Sequence, residues 1–181
     1  MRAAAGGRAE PLRAVTAPYR GIVFDLDDTL VDTRATREYR DRREWRKAVA
    51  AIDRTRIFDG ITELLAALAR REVPWAIVTT SVSYYAEAVL EHYGLHPRRL
   101  VAYHDARPPK PHPRGVLLAL EALDLPASEV VGVGNAVTDQ VAYRRAVVLA
   151  LAAWWSPDLE GGDWDGELAD PAGLLEYVAP S

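Results

Sequence analysis

The sequence contains no cysteine among its 181 residues. This absence excludes disulfides, thiolate catalysis and cysteine-ligated zinc, and it suits a cytoplasmic protein. No apolar run approaches the roughly 20 residues that a membrane-spanning helix needs. The net charge is −4, so no strong positive field favours nucleic acid or a membrane surface. We therefore expect a cytoplasmic globular protein without a membrane partner.

The composition that is present is that of one ordinary domain. Hydrophobic residues make up 49% and charged residues 27% of the chain, which is typical of a soluble globular fold with its own core. The first 18 residues are rich in alanine, glycine, arginine and proline. Because they lack the apolar block of a signal peptide, we interpret residues 1–18 as a disordered extension.

Short apolar runs alternate with amphipathic stretches from residue 20 onward. Gly60 opens a helix that Pro74 ends, a second helix begins at Ser81 or Ser83, either of which can cap it, and Gly94 stops that helix. Two further helices are predicted at 112–123 and 138–145. The predicted strands are 21–24, 75–78, 100–103, 130–133 and 147–151. This alternation predicts an α/β fold, a doubly wound, mostly parallel sheet covered on both faces.

The segment 34–56 interrupts the alternation and is expected to form one or two helices. Trp45, Val49 and Ile52 lie at helical spacing and could dock it onto the body. It contains nine basic and four acidic residues. These charges either attract an anionic substrate, which could be macromolecular, or form a solvated face with ion pairs such as Glu38–Arg42.

Three acids follow the first predicted strand directly. Asp25, Asp27 and Asp28 stand in the run Phe24-Asp25-Leu26-Asp27-Asp28-Thr29-Leu30. Buried carboxylates are unfavourable by several kcal/mol unless they are paired or metal-bound. Two neighbouring acids therefore indicate a bound cation, a shared proton, or both. The alternative is an aspartate-rich turn that caps the next helix.

Three further segments turn this motif into a family resemblance. Thr79 follows the second strand, Lys110 lies between two prolines, and the run Gly134-Asn135-Ala136-Val137-Thr138-Asp139 follows the fourth strand. With the acids they resemble, in order, the motifs of the haloacid dehalogenase-like hydrolase superfamily, especially its phosphoglycolate-phosphatase-like branch. The resemblance implies a Rossmann-like core with five main strands in the order 5-4-1-2-3.

The resemblance also implies roles for these residues. Asp25 would attack phosphorus and form an aspartyl-phosphate, and Asp27 would act as general acid and base. Thr79, Thr80 and Lys110 would hold the phosphoryl group. A Mg²⁺ cofactor would be held by four residues, Asp25, Asp27, Asn135 and Asp139. The dehalogenases of this superfamily lack an acid at the position of Asp27, because displacing a halide needs no proton donor. The presence of Asp27 therefore favours phosphate transfer over dehalogenation.

Two features depart from the family pattern. Asn135 stands where an aspartate is usual, so we expect weaker magnesium binding. The resemblance divides the chain into a catalytic core at 19–33 and 57–181 and a helical cap at 34–56. This cap is much shorter than is usual in the family, so the site should be more open or closed by a neighbouring subunit of a homo-oligomer.

The expected function is magnesium-dependent hydrolysis of a small phosphate monoester. Two alternatives stay open at the level of sequence. One is a catalytically weakened scaffold that binds a phosphorylated partner. This alternative is suggested by Asn135, which replaces a charged metal ligand with a neutral one. The other is a phosphotransferase or phosphomutase, in which a second hydroxyl replaces water as the acceptor of the phosphoryl group.

Overall fold

The strands of a computed structural model, which describes residues 19–179, form one large sheet and one small ribbon. The interpretation of residues 1–18 as disordered lies outside the described residues. The strands are β1 (Gly21–Phe24), β2 (Val31–Asp32), β3 (Arg56–Ile57), β4 (Trp75–Val78), β5 (Arg99–Val101), β6 (Val130–Gly134), β7 (Leu149–Ala153) and β8 (Gly166–Leu168). The large sheet is parallel and has the order β5-β4-β1-β6-β7-β8, while β2 and β3 form an antiparallel ribbon.

Helices cover both faces of the large sheet. They are α1 (Arg37–Asp41), α2 (Trp45–Ala50), α3 (Ile61–Arg70), α4 (Ser83–Tyr93), α5 (Arg114–Leu123) and α6 (Val137–Arg145). Alternate residues of β1 point to opposite faces, as strand geometry requires. Ile22 and Phe24 join the core beneath α3 and α4, whereas Val23 joins the core beneath α5 and α6. The predicted doubly wound α/β fold is confirmed.

The order of the five predicted strands is also confirmed, but the sheet has a sixth strand. β8 extends the edge beyond β7 and was not predicted. It is three residues long and only Leu168 is buried, so it carries neither an apolar run nor a clear alternation. Its position is fixed by parallel pairing with β7, a contact that the local sequence does not encode.

The segment 34–56 leaves and re-enters the core through the β2–β3 ribbon. It contains α1 and α2, flanked by short 3₁₀ turns. Its docking residues behave as expected, since Ile52 is buried and Trp45 packs against Tyr85 of α4 with ring centroids 5.8 Å apart. The ion pair between Glu38 and Arg42 is also present, at 2.9 Å. None of the helices within residues 19–179 has the length and apolar character needed to cross a membrane.

Candidate active site

The polar side chains that the sequence places after strands meet at one edge of the sheet. β1, β4 and β6 run parallel, so the residues that follow them (Asp25, Thr79 and Asn135) lie beside one another at the carboxyl ends of the strands. Open α/β sheets bind their ligands at this edge. A cavity of about 550 Å³ opens there and is lined by six of the seven predicted site residues, which are Asp25, Asp27, Thr80, Lys110, Asn135 and Asp139.

Lys110 lies at the centre of this cluster. Its ammonium group donates to Asp25 Oδ1 at 2.6 Å, to Asp139 Oδ1 at 2.5 Å and to the carbonyl of Val78 at 2.7 Å. The side chains of Lys110, Asp25 and Asp139 are all less than a tenth exposed. All three lysine protons are therefore used. One cation is shared by two carboxyl groups, so it can neutralise only one of them when both are ionised.

This shared charge alters the acidity of both partners. Burial raises the pKa of Asp25 to about 7, the charge of Asp139 adds to the rise, and Lys110 opposes it. Burial alone would lower the pKa of Lys110, but the charges of Asp139 and Asp25 outweigh it and raise that pKa. The lysine stays protonated, while Asp25 holds a proton far more readily than an exposed aspartate does.

The raised pKa of Asp25 predicts a pH-dependent stability. Between about pH 4 and about pH 7 the unfolded chain loses the proton of Asp25 while the metal-free folded chain keeps it, so stability falls as pH rises through this window. Asp25→Asn removes this contribution. We expect the free energy of unfolding of Asp25→Asn, minus that of the wild type, to increase with pH in urea titrations without divalent metal. A difference that stays constant would contradict the shift.

Asp27 is held by donors from three elements. Its Oδ2 accepts hydrogen bonds from Ser81 at 2.7 Å and Thr79 at 3.4 Å, and its Oδ1 accepts one from Tyr85 at 3.3 Å. Arg40 of α1 forms an ion pair with the same Oδ1 at 3.3 Å. Burial, and then the charge of Asp27, raise the pKa of Tyr85, so its hydroxyl remains protonated. The carboxylate is fixed in orientation beside Asp25.

Asp139 packs directly against the backbone of β6. Its Oδ2 accepts the main-chain N–H groups of Asn135 at 3.2 Å and Ala136 at 3.0 Å. A Cβ on Gly134 would lie 2.6 Å from the Cβ of Asp139, so only glycine permits this approach. With Lys110 on Oδ1, both oxygens of Asp139 are engaged.

The remaining oxygens provide a donor set for a hard cation. Thr29 Oγ1 donates to Asn135 Oδ1 at 2.9 Å and contacts Asp25 Oδ2 at 3.4 Å, which brings one carboxylate and one amide oxygen to the same hydroxyl. Within residues 19–179 no group of three or more histidine, cysteine, aspartate or glutamate side chains is arranged to hold a metal. The all-oxygen set fits Mg²⁺, but with fewer charged ligands than a carboxylate-rich site.

Several residues of the site were not predicted. Ser81 and Ser83 are both predicted candidates to cap α4, but the helix begins at Ser83, Val82 holds the cap position, and Ser81 donates a hydrogen bond to Asp27. Arg40 and Arg37 were counted only as part of a basic segment, although Arg37 pairs with Asp28 at 2.8 Å and also with Asp158. No local pattern distinguishes these arginines from their exposed neighbours. Only their tertiary position beside the acids that follow β1 does so.

A doubly wound parallel sheet with a carboxylate–lysine cluster at its carboxyl edge defines an α/β enzyme scaffold with its ligand site at the strand ends. The family model described as haloacid dehalogenase-like hydrolase matches residues 35–146. This match covers more than half of the chain, and the chain belongs to that family. Hydrolases of this family generally use Mg²⁺.

Individual relatives agree with this assignment. The chain is 30% identical over 130 residues to a phosphoglycolate phosphatase of Xanthomonas campestris, covering 68% of this chain and 59% of the relative. It is 32% identical over 136 residues to an N-acetylmuramic acid 6-phosphate phosphatase of Pseudomonas aeruginosa, covering 74% and 57%. The chain thus spans less than two thirds of these relatives' lengths.

The fold is also shared with a solved structure. The crystal structure of a phosphoglycolate phosphatase homologue from Lactobacillus plantarum superposes with a TM-score of 0.77 at 18% identity, over 89% of this chain and 100% of that one. At this identity the likeness concerns the fold alone.

Proposed function

We propose that the protein is a magnesium-dependent phosphatase that hydrolyses phosphate monoesters through an aspartyl-phosphate on Asp25. The observation that carries the proposal is the placement of Asp25 in the cavity at the end of β1, paired with Lys110 and close to the restrained carboxylate of Asp27. A nucleophile, a proton donor and a fixed cation around one cavity are the parts that a covalent phosphoryl transfer requires.

In the first step, a carboxylate oxygen of Asp25 forms a bond to phosphorus while the bond from phosphorus to the ester oxygen breaks. Asp27 donates a proton to the departing oxygen. In the second step, Asp27 takes a proton from water as the water oxygen bonds to phosphorus, and the bond between phosphorus and Asp25 breaks. Asp27 is thereby returned to its protonated form, so the proton balance closes over one cycle.

The cationic and hydroxyl groups stabilise the charge on the phosphoryl oxygens. Thr80 is exposed in the cavity, and Thr79 lies beside Asp27. All three protons of the Lys110 ammonium group donate hydrogen bonds within the protein. Lys110 therefore stabilises the phosphoryl group by its positive charge and by sharing one of these protons with a phosphoryl oxygen. Preorganised donors of this kind are a main source of catalytic power. We assign these three residues to the phosphate site.

The oxygens of Asp25, the main-chain carbonyl of Asp27 and the amide of Asn135 would hold the magnesium ion. When bound, the ion supplies positive charge that polarises the phosphoryl oxygens. Asp139 was included among the predicted ligands. Since both of its oxygens accept hydrogen bonds within the protein, we propose that it acts on the site by holding Lys110.

The neutral ligand at Asn135 leads to a prediction about metal affinity. Asn135→Asp adds a carboxylate to the donor set, and ligand charge is a main determinant of affinity for hard cations. We expect the dissociation constant for Mg²⁺, measured by calorimetry, to fall about tenfold. Asp124→Asn at the far end of α5 serves as a mutational control. An unchanged constant for Asn135→Asp would remove Asn135 from the proposed site.

The proposed role of Asp27 is tested by varying the leaving group. An alkyl phosphate needs a proton donor for its departing oxygen, whereas an aryl phosphate with an acidic phenol does not. We expect Asp27→Asn to slow hydrolysis of the alkyl ester by about 10²–10⁴-fold and to slow formation of the aspartyl-phosphate from the aryl ester much less. Stopped-flow release of the phenol measures that first step. Equal losses with both esters would argue against proton donation by Asp27.

The names of the relatives indicate a broad class of substrate and not a particular compound. The two curated relatives are phosphatases of small phosphorylated metabolites by name, and we propose a small phosphate monoester here. We also propose that residues 19–33 and 57–179 form the catalytic body and that 34–56 acts as a short cap.

Hydrolysis of an aryl phosphate in the presence of Mg²⁺, and its loss on adding a chelator, test the activity. Absence of any hydrolysis would favour the scaffold alternative.

A further inference from the structure

A second and larger concavity adjoins the catalytic cavity. It is a groove of about 1090 Å³ between the segment 34–56, the start of α4 and the loop after β5. Arg40, Asp41 and Thr80 line both the groove and the cavity. The two spaces therefore meet at the proposed phosphate site, and the leaving group of a bound monoester can extend into the groove. Its volume is ample for a ligand of nucleotide size.

The groove carries cations that the protein itself does not neutralise. Arg43 and Arg46 are exposed and line it, and neither has a carboxylate within ion-pair distance in the part of the chain that the structure describes. By contrast, Lys47 is paired with Glu44 at 3.0 Å. Unpaired guanidinium groups beside a phosphate site are suited to a second anionic group, which they can bind through two parallel hydrogen bonds.

The groove also exposes aromatic surface. Tyr84 is 57% exposed, one of four large hydrophobic side chains exposed within residues 19–179, and it lines the groove. Tyr103 also lines the groove, but it is half-buried and the guanidinium group of Arg107 lies over its ring, 5.8 Å from the centroid. Trp45 lines the groove too, but its ring packs on Tyr85 and so supports the fold. The exposed ring of Tyr84 is therefore the face that favours stacking with a planar ring of a ligand.

We propose that this groove binds the leaving group of the substrate, and that the preferred substrate is a nucleotide carrying a second phosphate. The nucleobase stacks on Tyr84, and the second phosphate binds Arg43 and Arg46. This inference rests on the proposed phosphatase activity and specifies its substrate class. It assigns to the short segment 34–56 a role in selecting substrates, since both arginines come from it.

A set of four monoesters separates the two recognition elements. Adenosine 3′,5′-bisphosphate has the ring and the second phosphate, adenosine 5′-monophosphate has the ring, fructose 1,6-bisphosphate has the second phosphate, and ribose 5-phosphate has neither. We expect kcat/KM to rise about tenfold for each element, with the first compound best. Similar values for all four would overturn the inference.

Matched variants assign each element to its residues. Arg46→Gln should remove most of the advantage of the second phosphate, and Tyr84→Ala most of the advantage of the ring. Arg42→Gln is the control, because Arg42 belongs to the same segment but pairs with Glu38 and does not line the groove. All three positions are exposed, and melting curves verify that the variants fold. Equal effects of Arg42→Gln and Arg46→Gln would contradict a specific phosphate contact.

Two further readouts separate this inference from the proposed activity. If an aryl phosphate is hydrolysed while the four monoesters are not ranked as expected, the groove assignment fails and the phosphatase stands. If nothing is hydrolysed, binding of adenosine 3′,5′-bisphosphate to the wild type, measured by calorimetry without Mg²⁺, still tests the groove. Binding that Arg46→Gln and Tyr84→Ala each weaken about tenfold supports it, and no detectable binding overturns it.

Discussion

Asp25→Asn should lower kcat for hydrolysis of an aryl phosphate by at least about 10³-fold while the protein remains folded. An amide oxygen is a poor nucleophile and cannot form the aspartyl-phosphate. The fold should tolerate the change because Asn has the same shape as Asp, and because Lys110 keeps its bonds to Asp139 and to the carbonyl of Val78. Steady-state kinetics with saturating Mg²⁺ provide the measurement.

Asp124→Asn is the matched control for this variant. Asp124 is exposed and ends α5 in a left-handed conformation, where asparagine is equally well accommodated. The Asp124→Asn variant loses one negative charge, as Asp25→Asn does, but far from the catalytic cavity, and it should retain wild-type activity. If Asp25→Asn kept more than about a tenth of the wild-type rate, phosphate transfer to Asp25 would be excluded as the main route.

Lys110→Met should have the largest effect on stability. The substitution removes the only cation from a buried cluster in which Asp25 and Asp139 both depend on it. Breaking a buried ion pair by removing one partner destabilises a protein by about 3–5 kcal/mol. We expect a loss of this size in the free energy of unfolding, measured by urea titration, together with loss of activity.

A double-mutant cycle isolates the contribution of the cluster. Asp139→Asn removes one of the two carboxylates, so adding it to Lys110→Met should restore part of the lost stability. The two residues are in direct contact, and coupling between them should exceed about 0.5 kcal/mol. Strictly additive losses would show that Lys110 and Asp139 do not stabilise each other, contrary to the observed distance of 2.5 Å.

The fold was predictable where patterns are strong and local. The buried runs of β1, β4 and β6 and the apolar face of α3 indicate their elements directly, and alternation of strands and helices predicts the parallel sheet. β8 was not predictable, because its three residues are held by pairing with β7 and by burial of Leu168 alone. The cap of α4 was not predictable, because Ser81 and Ser83 are both good candidates from the sequence and Val82 holds the position instead.

The site was predictable to the extent that its residues follow strands. Asp25, Thr79 and Asn135 occupy such positions, and parallel strands bring their ends together. The contacts that hold Asp27, by contrast, depend on tertiary packing. Arg40 reaches Asp27 only because the segment 34–56 folds back over the strand ends, and Tyr85 reaches it from within α4. Neither contact is reflected in the spacing of residues along the sequence, so Arg40 and Tyr85 could not be predicted as partners of Asp27.

A covalent bond between phosphorus and Asp25 is directly detectable by mass spectrometry of rapidly quenched enzyme. With an aryl phosphate as substrate, Asp27→Asn should accumulate the intermediate, because its formation needs little acid assistance while its hydrolysis lacks a base. We expect the added mass of one phosphoryl group on the peptide containing Asp25, and none in Asp25→Asn. A phosphoryl group on another residue, or turnover with no covalent species in either protein, would contradict it.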